Sequence, residues 1–147
     1  MNDYATIRRD YRWDCPAHFN FARDVIDRWA AADPAQPAML WLDDHGREER
    51  RTFADIAAAS RRVANVLAGA GVARGERIVI LLGRQIAWWE VLTACLRMGA
   101  VASPGTAQLS AKDLAYRINA AGATCVVTDT GNAGKVDAVL GQCPGLR

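Results

Sequence analysis

Three stretches of this 147-residue chain carry side chains that could do chemistry. Ser103-Pro104-Gly105-Thr106-Ala107-Gln108 places hydroxyl and amide groups on a loop between a short apolar run and a helix start. Ligands of open parallel sheets bind beyond the carboxyl ends of strands, and helix N-termini attract anions. Thr106 and Gln108 are therefore candidate hydrogen-bonding groups for a polar ligand. The same residues also make a plain Pro-Gly turn with solvated side chains, and local chemistry alone leans that way.

Leu82-Gly83-Arg84-Gln85 follows the most apolar run, but one glycine is not a GxGxxG fingerprint, and no GxxxxGK[ST] phosphate loop occurs. Cys15-Pro16-Ala17-His18 supplies two possible metal ligands without the partners that a tetrahedral site needs. His18 and His45 read as surface residues, so no metal site is expected. No GxSxG elbow marks a nucleophile. Trp88 and Trp89 are adjacent, and adjacent helical residues do not face the same way. They read as core packing, one indole turned inward and the other covering a neighbouring element. No catalytic residue is assigned within the chain.

The elements that must position these groups follow from apolar periodicity. Residues 1–18 are polar and aperiodic, an arm lying on a surface. Ala22, Val25, Ile26, Trp29 and Ala30 have helical spacing, with Asn20 as N-cap, and Asp33-Pro34 ends that helix. Residues 39–42 and 49–53 read as a hairpin around Asp43-Asp44-His45-Gly46. Thr52 and Asp55 have capping-box spacing, and Ile56, Ala59, Val63, Val66, Leu67 and Ala70 form the buried stripe of the next helix. Strands are expected at 77–82, 100–103 and 123–128, the first and last buried on both faces, with helices at 86–98 and 110–121 between them. Ser110 with Asp113 caps the second of these, Leu109 staples Leu114, and Gly122 ends it. The order β-α-β-α-β with short connections predicts an α/β fold with parallel strands and right-handed crossovers.

Composition excludes some classes. Hydrophobic residues make up 51% and charged residues 23%, ordinary for a globular domain and wrong for disorder. A formal net charge of +2 with dispersed basic residues gives no nucleic-acid footprint. No apolar run approaches the length of a membrane span. Cys15, Cys95, Cys125 and Cys143 are scattered without a CxxC pair, and the N-terminus has no signal-peptide pattern. These features suggest a reduced, cytoplasmic protein.

Several segments together resemble the N-terminal end of adenylate-forming (AMP-binding) acyl-CoA synthetases, in particular the medium-chain branch. They are Phe19-Asn20-Phe21-Ala22-Arg23-Asp24-Val25-Ile26-Asp27-Arg28-Trp29-Ala30, Arg51-Thr52-Phe53-Ala54-Asp55-Ile56, Ala64-Asn65-Val66-Leu67 and Gly75-Glu76-Arg77-Ile78. Trp88-Trp89-Glu90, Pro104-Gly105-Thr106-Ala107-Gln108-Leu109 and Cys143-Pro144-Gly145-Leu146-Arg147 complete the series. The resemblance implies residues 1–18 as an arm and residues 19–147 as an incomplete N-terminal α/β subdomain of a two-step ligase. That ligase would use ATP, CoA and Mg with a carboxylic acid, through a phosphate loop, acidic motifs and a lysine all expected after residue 147. The isolated chain is then expected to be inactive, to bind none of these tightly and to self-associate. Gln108 resembles a glutamine at the CoA-binding face. Arg84 matches an arginine of the same branch without an assigned role. The competing hypothesis is a non-enzymatic binding or oligomerisation module.

Overall fold

The computed structural model describes residues 3–14 and 16–147. Its elements are α1 (Tyr4–Asp10), a π-helical segment (Ala22–Asp27) running into α2 (Arg28–Ala32), β1 (Pro37–Leu42), β2 (Glu48–Thr52), α3 (Phe53–Gly69), β3 (Arg77–Leu81), α4 (Ile86–Met98), β4 (Val101–Gly105), α5 (Ala111–Ala121), β5 (Cys125–Thr128) and α6 (Thr130–Asp137). A 3₁₀ turn (Leu140–Gln142) follows α6.

The α/β expectation holds. β3 pairs parallel with β4 on one side and β5 on the other, giving the order β4-β3-β5. Alternation along β3 sends Ile78 and Ile80 to one face, with Ala64, Leu67, Val91, Ala94 and Cys95 of α3 and α4. Val79 and Leu81 go to the other, with Leu114, Ala115 and Ile118 of α5 and with Val139 and Cys143. The four side chains Ile78 to Leu81 have no exposed surface. Burying such a side chain contributes roughly 1.5–3 kcal/mol, which makes β3 the spine of the domain.

The caps are as the sequence indicated. Thr52 Oγ1 accepts from Asp55 N–H at 3.1 Å while Asp55 Oδ2 accepts from Thr52 N–H at 2.9 Å. Ser110 Oγ accepts from Asp113 N–H and donates to its carboxylate, so the return bond runs to the hydroxyl and not to the backbone. Gly122 adopts φ +59° at the end of α5, a left-handed exit that favours glycine. Leu109 and Leu114 share one cluster, as a staple requires. In the hairpin, Asp43 Oδ1 accepts from His45 and Arg47 N–H, both at 2.8 Å.

Four expectations need correction. The arm contains α1, although no residue of that helix is buried. β5 is half-exposed throughout and not buried on both faces, because the strand order makes it an edge. β4 extends through Pro104, which is tolerated because β4 is the other edge and proline there forgoes no interior hydrogen bond. Val66 and Ala70, expected in the buried stripe of α3, are exposed, Val66 at 70%. Trp29 stacks on Phe53, with ring centroids 5.9 Å apart.

The N-terminal segment is tied to α4 by polar contacts. Asn20 Oδ1 accepts from Arg23 N–H, and its amide donates to the carbonyls of Leu96 and Arg97 at 2.9 and 3.1 Å. Asn20 thus caps one helical start and one helical end. Arg97 forks onto Asp27 at 2.7 and 2.8 Å and also reaches Ser60 Oγ, and Arg61 joins Asp27 at 3.1 Å.

Candidate functional site

Two loops at the carboxyl end of the sheet define the site. The loop after β4 is held more firmly than a solvated turn. Gln108 N–H donates to Thr106 Oγ1 at 3.2 Å, and Leu109 N–H donates to the Thr106 carbonyl at 3.1 Å. Lys135 of α6 donates to the Ala107 carbonyl at 2.6 Å, and Arg117 of α5 donates to that of Pro104 at 3.3 Å. Gly105 packs closely, since a Cβ there would stand 2.9 Å from Leu109 Cδ1. The backbone around Gln108 is therefore fixed while its side chain remains exposed.

The loop after β3 meets β1 and β5. Trp41 of the hairpin donates its indole Nε1–H to the Arg84 carbonyl at 2.7 Å. Gln85 donates to Asp129 Oδ2 at 3.1 Å, and Asp129 Oδ1 caps α6 through Asn132 N–H. Hydrogen bonds from Asn132 above all hold the Asp129 carboxyl below its usual range. In a doubly wound sheet the crevice between strands whose connections diverge is the usual ligand position. The helices after β3 and β4 lie on opposite faces of the sheet, and on the other side of β3 the gap toward β5 is bridged by the Gln85–Asp129 contact.

The open volume lies over the ends of β3 and β4, where the connections leave to opposite faces. It is a cleft of about 590 Å³ lined by Trp41, Leu82, Gly83, Arg84, Trp88, Trp89, Thr106, Ala107 and Gln108. That volume falls within the 300–1,000 Å³ of small-molecule sites. Trp88 packs against the core, as expected of one indole of the pair. Trp89 is 51% exposed and meets Trp88 edge-on, with centroids 4.7 Å apart. Both line the cleft, so Gln108, Thr106 and Arg84 share one site with three indoles. Sequence reasoning missed Trp41 and Lys135, which reach the site only through long-range folding, and it assigned the Trp88-Trp89 pair wholly to packing.

The remaining candidates stay outside this site. Among the described residues, no three His, Cys, Asp or Glu side chains gather as metal ligands. Cys15 lies outside the described residues; His18 and His45 are exposed. Burial, with a smaller contribution from Cys125, pushes the Cys95 thiol up to about 11, so it is an apolar filler at neutral pH. No helix among the described residues is long and apolar enough to cross a membrane.

The fold itself recurs in acyl-CoA synthetases. The acyl-CoA synthetase of Brucella canis superposes with a TM-score of 0.87 over 99% of this chain and 28% of that one, at 23% identity. A putative long-chain-fatty-acid CoA ligase of Rhodopseudomonas palustris superposes at 0.77 over 88% of this chain and 32% of its own, at 29% identity. The AMP-binding enzyme family profile matches residues 26–145, and the chain belongs to that family. Human acyl-coenzyme A synthetase ACSM3, mitochondrial, is 38% identical over 99% of the chain, and mouse ACSM5, mitochondrial, 42% over 92%. The chain spans about a quarter of the length of these relatives, 26% and 25% respectively. Their names place those proteins in mitochondria and lend no support to a cytoplasmic setting for this one.

Proposed function

We propose that this chain is the N-terminal portion of an ATP-dependent acyl-CoA synthetase and contributes part of its CoA-binding face. In that reaction a carboxylate oxygen attacks the α-phosphorus of ATP and diphosphate leaves. The CoA thiolate then attacks the acyl carbonyl of the adenylate and AMP leaves as the thioester forms. The reading is supported by the similarity to acyl-CoA synthetases along almost the whole chain. The single observation that carries its CoA part is Gln108 standing exposed on a fixed loop at the mouth of the cleft.

The chain's own part in the chemistry is limited to binding and placement. Gln108 would hydrogen-bond CoA, while Lys135 and Arg117 hold the loop that presents it. The sequence contains no GxxxxGK[ST] phosphate loop, and on this reading the adenylation machinery belongs to the rest of the synthetase, with the chain alone expected to release no AMP.

Gln108→Ala in the complete synthetase should slow thioester formation from preformed adenylate several-fold and leave acid-dependent ATP–diphosphate exchange nearly unchanged. Losing one neutral hydrogen bond is worth about 0.5–1.5 kcal/mol, which sets that size. Equal loss in both half-reactions would give Gln108 a structural role, and no loss in either would remove it from the CoA face.

A further inference from the structure

We propose that a second cleft, between the N-terminal segment and the end of α4, binds an apolar monocarboxylate, with Arg74 holding the carboxylate and Phe19 and Phe21 flanking the tail. This cleft lies where the chain enters β3 and β4, at the opposite end of the sheet from Gln108, and it does not depend on the CoA reading. Its ligand class is that of the acid in the proposed reaction, so the chain would hold such an acid at a place where no chemistry is done on it.

The cleft measures about 560 Å³. Leu96 and Met98 of the last turn of α4 give it an apolar floor, and Phe19 and Phe21 stand beside it, both exposed. Asn20, between the two phenylalanines, donates its side-chain amide to the Leu96 and Arg97 carbonyls at 2.9 and 3.1 Å. The aromatic walls are thereby fastened to the floor at their middle. The same bonds matter for charge, because the carbonyl end of a helix ordinarily repels an anion. Here the Leu96 carbonyl receives both the Gly99 N–H and the Asn20 amide, and the Arg97 carbonyl receives that amide too.

Arg74 supplies the cation. Its stem lies across Gly99, where a Cβ would stand 3.1 Å from Arg74 Cγ and 3.4 Å from its Nε. Gly99 leaves α4 with φ +72°, so the residue that ends the helix also leaves room for the arginine. The turn carrying Arg74 is pinned to that exit by the Gly75 N–H bond to the Gly99 carbonyl, at 2.9 Å. None of the ion pairs among the described residues includes Arg74, whereas its charged neighbours are matched. Arg23 forks onto Asp24 at 2.8 and 2.9 Å, Arg97 onto Asp27, and Glu76 pairs with Arg147. One guanidinium without an acid is left at the edge of an apolar floor, which suits a singly charged anion with an apolar body. A phosphate dianion would find a second arginine only by breaking one of these pairs. His18, also in the cleft, offers an imidazole N–H as a further donor.

The test follows the methionine methyl resonances of the chain by NMR, with octanoate as the probe. Millimolar octanoate should shift the Met98 methyl and leave the Met39 methyl, in the hairpin, and the Trp89 indole in place. Octanol, equally long but uncharged, should bind about fivefold more weakly, the size of one solvent-accessible ion pair. Arg74→Met should weaken octanoate by about the same factor and leave octanol alone, and Arg74→Lys should recover part of the loss. Phe19→Ala should weaken both probes, and an unchanged Met39 methyl in each variant shows that the fold is kept. Inorganic phosphate should leave Met98 where it is. Equal affinity for octanol and octanoate in the unaltered chain would overturn the carboxylate assignment, as would an Arg74→Met chain that binds octanoate unchanged. A Met98 methyl that ignores octanoate, or a shift of Trp89 in its place, would overturn the site and leave the Gln108 reading untouched. A Gln108→Ala synthetase with an unimpaired thioester step would remove that reading and leave this site standing.

Discussion

Ile80→Ala should cost the folded chain about 3 kcal/mol and lower its thermal midpoint by roughly 6–12 °C. Ile80 lies mid-strand in β3, in register with Pro104 on one side and Val127 on the other, and none of its side chain is exposed. Its neighbours come from α3, α4 and the sheet itself, which cannot all collapse into the space that three lost carbons would leave. Val66→Ala on the exposed side of α3 is the matched comparison, with an expected change within about 0.5 kcal/mol. Scanning calorimetry of the two variants checks both values. Similar midpoints for the two would mean that β3 is not the spine of the core, and the cleft at its carboxyl end would lose its rigid support.

Arg97→Met should destabilise by about 2 kcal/mol, because a charge-assisted fork onto Asp27 and a bond to Ser60 are lost together. Both charged side chains are largely shielded, 17% and 21% exposed, so solvent screens this pair less than the surface pairs. The Arg97 fork first, then Arg61, holds the Asp27 carboxyl below its ordinary 3.8, against the opposing effect of desolvation. A carboxyl depressed in the folded state contributes stability that is present above the unfolded value and lost as pH falls through the folded one. The chain should therefore lose stability on acidification below about pH 3.8 more steeply than Asp27→Asn does. Urea midpoints between pH 5 and pH 2 measure this difference. Parallel curves for the two proteins would mean that the fork adds nothing to folding.

Much of this architecture is legible in the sequence because local chemistry and tertiary packing agree there. Thr52 with Asp55 and the run Ile78–Leu82 point to the same elements at both levels. α6 was not legible: Gly131 and Gly134 argue against a helix, and its start depends on Asp129, which also bonds Gln85 across the sheet. The half-exposure of β5 was illegible for another reason, since Cys125-Val126-Val127-Thr128 reads the same in a central strand and at an edge. Strand order is a property of the crossovers. The site divides in the same way. Gln108 and Arg84 sit in local segments with recognisable patterns, whereas Trp41 joins them across 43 residues of sequence through one hydrogen bond. Trp89 was visible but misassigned, because spacing tells that two adjacent indoles diverge and not which of them meets solvent.

The most direct test is a synthetase of this family in which the matching N-terminal quarter is replaced by this chain, assayed for AMP release and thioester formation from acid, ATP and CoA. The chimera should carry out both half-reactions, with Gln108→Ala affecting only the second, and the 147-residue chain alone should release no AMP. A folded chimera that forms adenylate but neither binds CoA nor makes thioester would contradict the assignment of the CoA face to this chain, as would AMP release by the chain on its own.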